Sequence, residues 1–398
     1  MDIFQKCFDF TRADEIKAIG LYPYFHPIEE NEGPVVHIEG RRFLMAGSNN
    51  YLGLTADPRV KEASIKSIEK YGTGCSGSRY LTGTLDMHNE LEFRLAKFLN
   101  KEAVLLFSTG FQSALGVIST IVQRGDYVIS DKENHSSIMN GCLLAKGGMA
   151  EFKRFKHSDL ADLENVLKHL PEKAGKLVVT DGVFSVTGEI VNLPELIHIS
   201  HKYGAKVMVD DAHSVGVIGN GGRGTASYFN CEKDIDLILG TFSKTFASLG
   251  GFVAGPERVI NYIKHHSPAL IFSASPTPPS VAAALEALNI LEKEPQLVDK
   301  LQSNVKYLRK KFVEHGFKIE ENESAIIPII VGDVDKALTT WRYLFDHGIY
   351  VNAFVPPGVP PNMSMMRTSF MATHTKEHLD EILEGFIEIG KELDYIYK

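Results

Sequence analysis

The sequence predicts an α/β fold: a large domain built on a mostly parallel sheet flanked by helices, with a smaller α+β domain at the C-terminal end. Three observations predict it. Between about residues 100 and 255, short runs rich in Val, Ile and Leu alternate with helix-length amphipathic stretches, the pattern of βαβ units. A second, shorter alternation of strands and helices follows Pro278-Pro279. At 398 residues the chain is also long enough to bury one large core and one smaller one.

The elements follow in order. Apolar runs at 35–38 and 43–46 flank Glu39-Gly40-Arg41 and read as a hairpin. Strands are then expected over 103–107, 127–130, 176–180, 206–210, 237–240 and 252–254. Helices are expected near 60–70, 87–99, 111–123, 136–146, 158–169 and 194–203. Beyond the two prolines come a long helix over 280–293, helices near 297–315, 335–347 and 376–396, and strands over 326–331, 350–354 and 366–371. The expected division is an arm and hairpin over 1–50, a large domain over 51–280 and a small one over 281–398, the small domain completed by the N-terminal segment. The Pro-rich segment 356–361 reads as a rigid turn just before Arg367.

Composition narrows the function. Lys and Arg number 42 against 50 Asp and Glu, a net charge of −8, so no chain-wide basic field exists to bind nucleic acid. Cys7, Cys75, Cys142 and Cys231 are far apart and form no Cys-x-x-Cys pair. This argues against a zinc ribbon or a disulfide framework and fits a reducing cytoplasm. The N-terminus lacks the apolar run of a secretory signal, and no stretch is long enough to span a bilayer. The expected protein is cytoplasmic and soluble, or at most peripheral to the inner face of a membrane.

The densest chemical signal is the segment Gly240 to Gly251, where Lys244 stands among hydroxyls and small residues just after an apolar run. A partly desolvated amine there suits imine formation with an aldehyde, with Thr241 and Ser243 placed to bind an anion such as a phosphate. The plainer reading is a surface lysine in a Ser/Gly-rich loop. Asp210-Asp211-Ala212-His213 also follows an apolar run, at the carboxyl end of a strand where open α/β sheets bind ligands. Asp210 suits a pyridinium nitrogen and His213 a phenolate oxygen, although a strand-end cap is the simpler role. No third ligand has the spacing for a metal.

Ser108-Thr109-Gly110-Phe111-Gln112 follows another strand and opens a helix, a phosphate-binding arrangement or an ordinary cap. His135 lies between strand and helix, where a flat imidazole stacks on an aromatic ligand or caps the helix. Gly219 to Gly224 matches the spacing G-x-G-x-x-G but has neither a strand directly before it nor a good helix opening after it. We reject it as a dinucleotide site and expect a mobile loop near the active site. Lys264-His265-His266 is expected to be a solvated helix end.

Taken together these residues resemble the α-oxoamine synthases, fold-type I enzymes dependent on pyridoxal 5′-phosphate (PLP). The matching series runs through Ser48 to Leu54, Gly72 to Arg79, Gly83-Thr84, His88, the Thr109-Gly110-Phe111 turn and His135. It continues through Asp181 to Ser185, Asp210 to His213, Lys244, Pro356-Pro357, Arg367 and Thr373-His374-Thr375. The resemblance implies a seven-stranded sheet and a homodimer with shared active sites. It implies that Lys244 binds the cofactor aldehyde and moves protons at the substrate Cα. Asp210 would pair with the pyridine nitrogen, and His213, helped by Ser185, with the ring oxygen, while His135 would stack on the ring. Gly110, Phe111, Thr241 and Ser243 would hold the phosphate, joined by Ser273 and Ala274 from the partner subunit. Arg367 and Asn50 would grip the amino-acid carboxylate.

Within the family, segments 20–25, 72–83 and 181–193 look most like members that condense L-serine with a long-chain acyl-CoA. Members that acetylate glycine come next, and those that form 8-amino-7-oxononanoate third. Some relatives carry an arginine just before the Pro-Pro turn. Here the residue is Val355, which leaves carboxylate binding to Arg367 and Asn50.

Overall fold

The structure, a computed structural model, describes residues 2–319 and 322–396. The chain folds into two compact units. One comprises Asn49–Gln302 with Asn322–Ala325, and the other Met1–Ser48, Ser303–Glu321 and Ile326–Lys398.

The first unit is built on a seven-stranded sheet. Its strands in chain order are β1 (Ala103–Phe107), β2 (Tyr127–Asp131), β3 (Glu151–Phe155), β4 (Lys176–Asp181), β5 (Lys206–Asp210), β6 (Leu237–Thr241) and β7 (Gly251–Gly255). They lie side by side in the order β1-β7-β6-β5-β4-β2-β3. The neighbours from β6 to β3 pair in parallel, and β7 alone runs antiparallel to its neighbours. Helices follow the strands, and α1 (Gly110–Ile121) and α2 (Ser136–Gly147) pack beside each other. Leu105, Val128, Val179, Met208, Leu239 and Val253 from the sheet meet Ala114, Val117, Ile118 and Ile138 from these two helices in one buried cluster. Each of these side chains other than Ala114 contributes roughly 1.5–3 kcal/mol by leaving water. Strands β4, β6 and β7 are buried along their whole length, which is why they read as unbroken apolar runs rather than alternating ones.

Strand β3 was not expected. Its sequence, Glu-Phe-Lys-Arg-Phe, has no apolar run because it forms the outer edge, where three of five residues face solvent. The helix Pro278–Lys293 packs along Pro58–Tyr71, and its Val281, Ala284, Leu288 and Leu291 are buried. It therefore belongs to the sheet unit, and the division after residue 280 expected from Pro278-Pro279 falls inside it. The chain leaves this unit at Gln302, within the next helix, Gln296–Glu314.

In the second unit the hairpin strands Val35–Ile38 and Arg41–Met45 are joined in parallel by Ile349–Tyr350. The N-terminal segment thus completes the C-terminal unit, as expected. Ile326–Gly332, Ser364–Ser369 and Asn352–Phe354 form a three-stranded antiparallel sheet. The strand expected over 350–354 is interrupted at Val351 and serves two sheets. The strand expected over 366–371 starts two residues earlier, at a buried serine that hydropathy does not flag. Trp341 is buried in this unit with His26 stacked on it at 5.5 Å.

The glycine-rich segment 219–224 is a tied turn rather than a free loop. Gly216 N–H donates to the Gly222 carbonyl at 2.6 Å, Gly224 N–H to Ile218 at 3.0 Å, and Thr225 N–H to Asp211 Oδ2 at 2.9 Å. Gly222 and Gly224 are buried, and no strand directly precedes the segment. At its base Gly216 adopts φ +78°, and a Cβ there would stand 2.0 Å from Thr245 Cγ2. Replacing Gly216 by Ala combines left-handed strain with a steric clash and should cost roughly 2–4 kcal/mol. Urea unfolding should show it as a lower midpoint at unchanged slope. An unmoved midpoint would refute the close approach.

Candidate active site

Parallel strands present their carboxyl ends at one edge of the sheet, so every connection leaving that edge can deliver a side chain to the same place. Here β1 leads into Thr109-Gly110-Phe111, β2 into His135, β4 into Asp181 and Val183, β5 into Asp210 and His213, and β6 into Ser243 and Lys244. All of these residues line one cavity of about 270 Å³. Of the expected site residues it gathers Gly110, Phe111, His135, Asp210, His213, Thr241, Ser243 and Lys244. Asn50, Ser185, Ser273 and Ala274 are not among the lining residues.

At one end lies the start of α1. Thr109 caps it, its side chain accepting from Gln112 N–H at 3.0 Å, and the earlier N–H groups have no partner within the helix. A Cβ on Gly110 would come within 2.7 Å of Thr241 Oγ1, so only glycine lets α1 begin this close to β6. Thr241 Oγ1 donates to the Gly250 carbonyl at 3.0 Å and, its proton so used, accepts from Ser243 Oγ at 2.8 Å. Hydroxyls and helix amides therefore converge, an arrangement suited to an anion. Thr245 Oγ1 donates to the Val215 carbonyl at 2.8 Å and ties the Lys244 turn to the one carrying His213.

His135 is the N-cap of α2. Its backbone N–H donates to Asp181 Oδ2 at 3.0 Å, and its ring Nδ1 accepts from Ser137 N–H at 3.2 Å. Burial holds the imidazole below its ordinary pKa; Asp210 opposes this and Lys244 reinforces it. The ring is therefore neutral at neutral pH. Asp181 and Asp210 are paired across the ends of β4 and β5. Burial pushes Asp181 well above the ordinary carboxylate range, and the Asp210 charge adds to it. Asp210 Oδ1 accepts from Ala212 N–H at 3.0 Å. His213 Nδ1 lies 2.6 Å from the hydroxyl of Tyr51, which is fully buried.

The Aminotransferase class I and II family matches residues 43–386. The chain belongs to that family. It is 48% identical to a serine palmitoyltransferase of Sphingobacterium spiritivorum over 385 residues, 97% of this chain and 96% of the relative. It is 44% identical to the serine palmitoyltransferase of Bacteroides thetaiotaomicron, covering 98% of this chain and 99% of that one. An 8-amino-7-oxononanoate synthase of Thermoanaerobacter pseudethanolicus is 42% identical over 97% of both chains. The solved serine palmitoyltransferase of Sphingomonas wittichii superposes with a TM-score of 0.96 at 35% identity, over the whole of both chains. Another serine palmitoyltransferase, solved with PLP, gives 0.96 at 35% identity, again over the whole of both.

Fold and family are those of the fold-type I PLP enzymes, and PLP is the cofactor. The cavity fits it. It offers an anion cradle of helix amides and hydroxyls, a neutral flat imidazole, a carboxylate at a strand end and an amine, each held by its own strand connection. Of the other expected residues, Asn50 Nδ2 donates to Thr55 Oγ1 at 2.7 Å. Ser185 lies in the turn closed by the Val183–Ile190 bridge. Ser273 and Ala274 follow the short helix Pro268–Ile271, where the Ala274 carbonyl accepts from Ser108 Oγ of the same chain. Arg367 is buried in the second unit, in strand Ser364–Ser369, and its Nη1 donates to Ser369 Oγ at 3.1 Å. Lys264 to His266 end an exposed helix, Glu257–His266.

Sequence reasoning assigned no role to Tyr51, Asp181 or His157. His157 is a buttress. Its Nδ1 lies 3.0 Å from Asp131 Oδ1 and its Nε2 3.0 Å from Glu189 Oε2, and its ring meets Phe184 edge-on at 4.5 Å. Asp131 ends β2 and also accepts from Glu133 N–H, while Glu189 and Phe184 belong to the turn that carries Ser185. Burial alone would lower the imidazole pKa, but the two carboxylates outweigh it and raise it to about 10. Because the folded value exceeds the unfolded one, the stabilisation is complete below about pH 6.5 and fades as pH rises toward about 10. Parent stability should therefore fall between pH 7 and 10 relative to His157→Gln, measured by urea unfolding at several pH values. Parallel curves for the two proteins would rule the buttress out.

Proposed function

We propose that the chain is a serine palmitoyltransferase, condensing L-serine with palmitoyl-CoA to give 3-oxosphinganine, CoA and CO₂. The observation that carries this reading is the gathering of Lys244, Asp210, His213 and His135 around one anion cradle, in a chain that matches enzymes of that name along nearly its full length.

Bound in the cavity, PLP supplies an aldehyde for amines and an electron-withdrawing ring that stabilises negative charge at the amino acid Cα. The residues divide the remaining work. Gly110, Phe111, Thr241 and Ser243 hold the phosphate, with Ser273 and Ala274 of a second subunit completing the cradle. Asp210 keeps a proton on the ring nitrogen, His213 with Ser185 donates toward the ring oxygen, and neutral His135 covers the ring face. Lys244 would hold the cofactor through its aldehyde and would serve as the base that takes the proton from the amino acid Cα. Arg367, permanently charged and forked, suits the serine carboxylate together with Asn50.

A homodimer is supported by the apolar side chains that the sheet unit leaves exposed, among them Tyr80, Leu81, Phe111, Leu249 and Phe272. Among the described residues no helix is long and apolar enough to cross a membrane. Exposed Ile3, Phe4, Phe8 and Phe10 support peripheral contact with the inner face of a membrane. The four cysteines are free thiols, as a cytoplasmic location favours.

Visible absorbance of the purified protein during titration with L-serine, glycine, L-alanine and L-threonine tests the reading. L-Serine should perturb the cofactor band at the lowest concentration, and palmitoyl-CoA should then release CoA. Preference for L-alanine would instead favour the 8-amino-7-oxononanoate synthase reading, which the 42% identical relative keeps open. Lys244→Ala should abolish the amine-linked band and cut turnover by at least about 10³-fold. Retained turnover would sink the mechanism. Thr241→Ala should weaken PLP binding by about 10-fold, because Thr241, its proton given to the Gly250 carbonyl, holds the Ser243 hydroxyl in the charged cradle. Equal retention of PLP by the variant and the parent on dialysis would remove Thr241 from the cradle.

A further inference from the structure

We propose that Tyr51 is a positioning residue that fixes the ring of His213 in the tautomer carrying its proton on Nε2. The proposal rests on the reading above that His213 donates toward the cofactor ring oxygen.

Tyr51 sits in a tight turn of the sheet unit, its N–H donating to the Asn49 carbonyl at 2.9 Å and Gly53 N–H to that of Asn50 at 2.8 Å. The phenol is fully buried, and its hydroxyl lies 2.6 Å from His213 Nδ1 and 3.3 Å from Asn49 Oδ1. A hydroxyl has one proton to give, and the two contacts imply opposite tautomers. If it went to Asn49, the Tyr51 oxygen would accept from a protonated Nδ1 and leave Nε2 bare. If it goes to His213, Nδ1 is the acceptor and Nε2 bears the hydrogen.

Distance decides between them. Hydroxyl hydrogen bonds to oxygen cluster below about 3.0 Å, so the 3.3 Å approach to Asn49 is a poor recipient, whereas 2.6 Å is a short, strong contact. The phenol therefore donates to Nδ1. In a neutral imidazole that makes Nε2 the donor. Turned to the cavity wall that His213 lines, such a ring can give a hydrogen bond to an anionic oxygen, which the other tautomer cannot do. The two rings also meet edge-on, at 6.0 Å and 68°, so Tyr51 fixes the tilt of the imidazole as well as its proton.

Tyr51→Phe removes one oxygen and keeps the ring. With PLP bound, its visible spectrum should differ from the parent's, PLP should dissociate about 5-fold more readily, and kcat should fall several-fold with little change in KM for L-serine. Thermal unfolding of the PLP-free protein should be nearly unchanged, which separates positioning from general destabilisation. His213→Phe and the double variant complete a cycle. If Tyr51 acts through His213, adding Tyr51→Phe to His213→Phe changes neither the spectrum nor PLP dissociation. A Tyr51→Phe spectrum and dissociation rate equal to the parent's would overturn the proposal while leaving the His213 reading intact. So would an effect of Tyr51→Phe that persists without His213. A His213→Phe protein that binds PLP as the parent does would remove the His213 reading, and this inference with it.

Discussion

The first turn of α1 can reach the end of β6 because Gly110 has no side chain. A Cβ there would strike Thr241 from one direction, and a Cβ on Gly251 would come within 2.5 Å of Gly110 Cα from the other. The antiparallel insertion of β7 between β1 and β6 makes this contact necessary, since β7 brings Gly251 beneath the helix start. From that packing follow the orientation of the helix amides, the placement of Thr241 and Ser243 beside them, and the direction in which the Lys244 turn leaves the sheet. The anion cradle is thus a property of backbone packing, with the hydroxyls added to it.

Charge is the second organising factor. Asp131, Asp181 and Asp210 end β2, β4 and β5, so three carboxylates share the carboxyl edge of one sheet. Packed together without partners they would be costly. The structure treats each differently. Asp131 is bonded to His157 and backbone amides. Asp181 is fully enclosed and pushed toward its neutral form, its Oδ2 taking the His135 amide. Asp210 is left at the cavity wall. One edge therefore brings two carboxylates to the cavity, Asp210 and an Asp181 tied to the His135 amide, and uses Asp131 to hold the loops that surround it.

Much of this could be read from the sequence, and the reasons for the exceptions are physical. Strands β4, β5 and β6 announce themselves because they are buried and read as near-continuous apolar runs, and the residues that end them fall naturally at the ligand-binding edge. Edge strand β3 hides because its solvent-facing residues are charged. Tyr51 and His157 hide for another reason: each acts through a partner 162 or 26 residues away, and nothing in the local pattern marks such a pairing. The glycine-rich turn at 219–224 was expected to be mobile because glycine is permissive. Here its positive φ values serve a tightly bonded, partly buried turn instead. Composition reports what a backbone can do, while hydrogen bonds decide what it does.

The parallel pairing of Ile349–Tyr350 with Arg41–Met45 has a consequence for biosynthesis. Leu44 pairs with Ile349, so an earlier-made strand waits for one made about 300 residues later. At roughly 5–20 residues per second the interval is on the order of 15–60 s. During that time the sheet unit can be completed from chain already synthesised, since even its return segment Asn322–Ala325 precedes Ile349. The hairpin over 35–45, its open edge unpaired meanwhile, is the part of the nascent chain most in need of shielding from its neighbours on the same message.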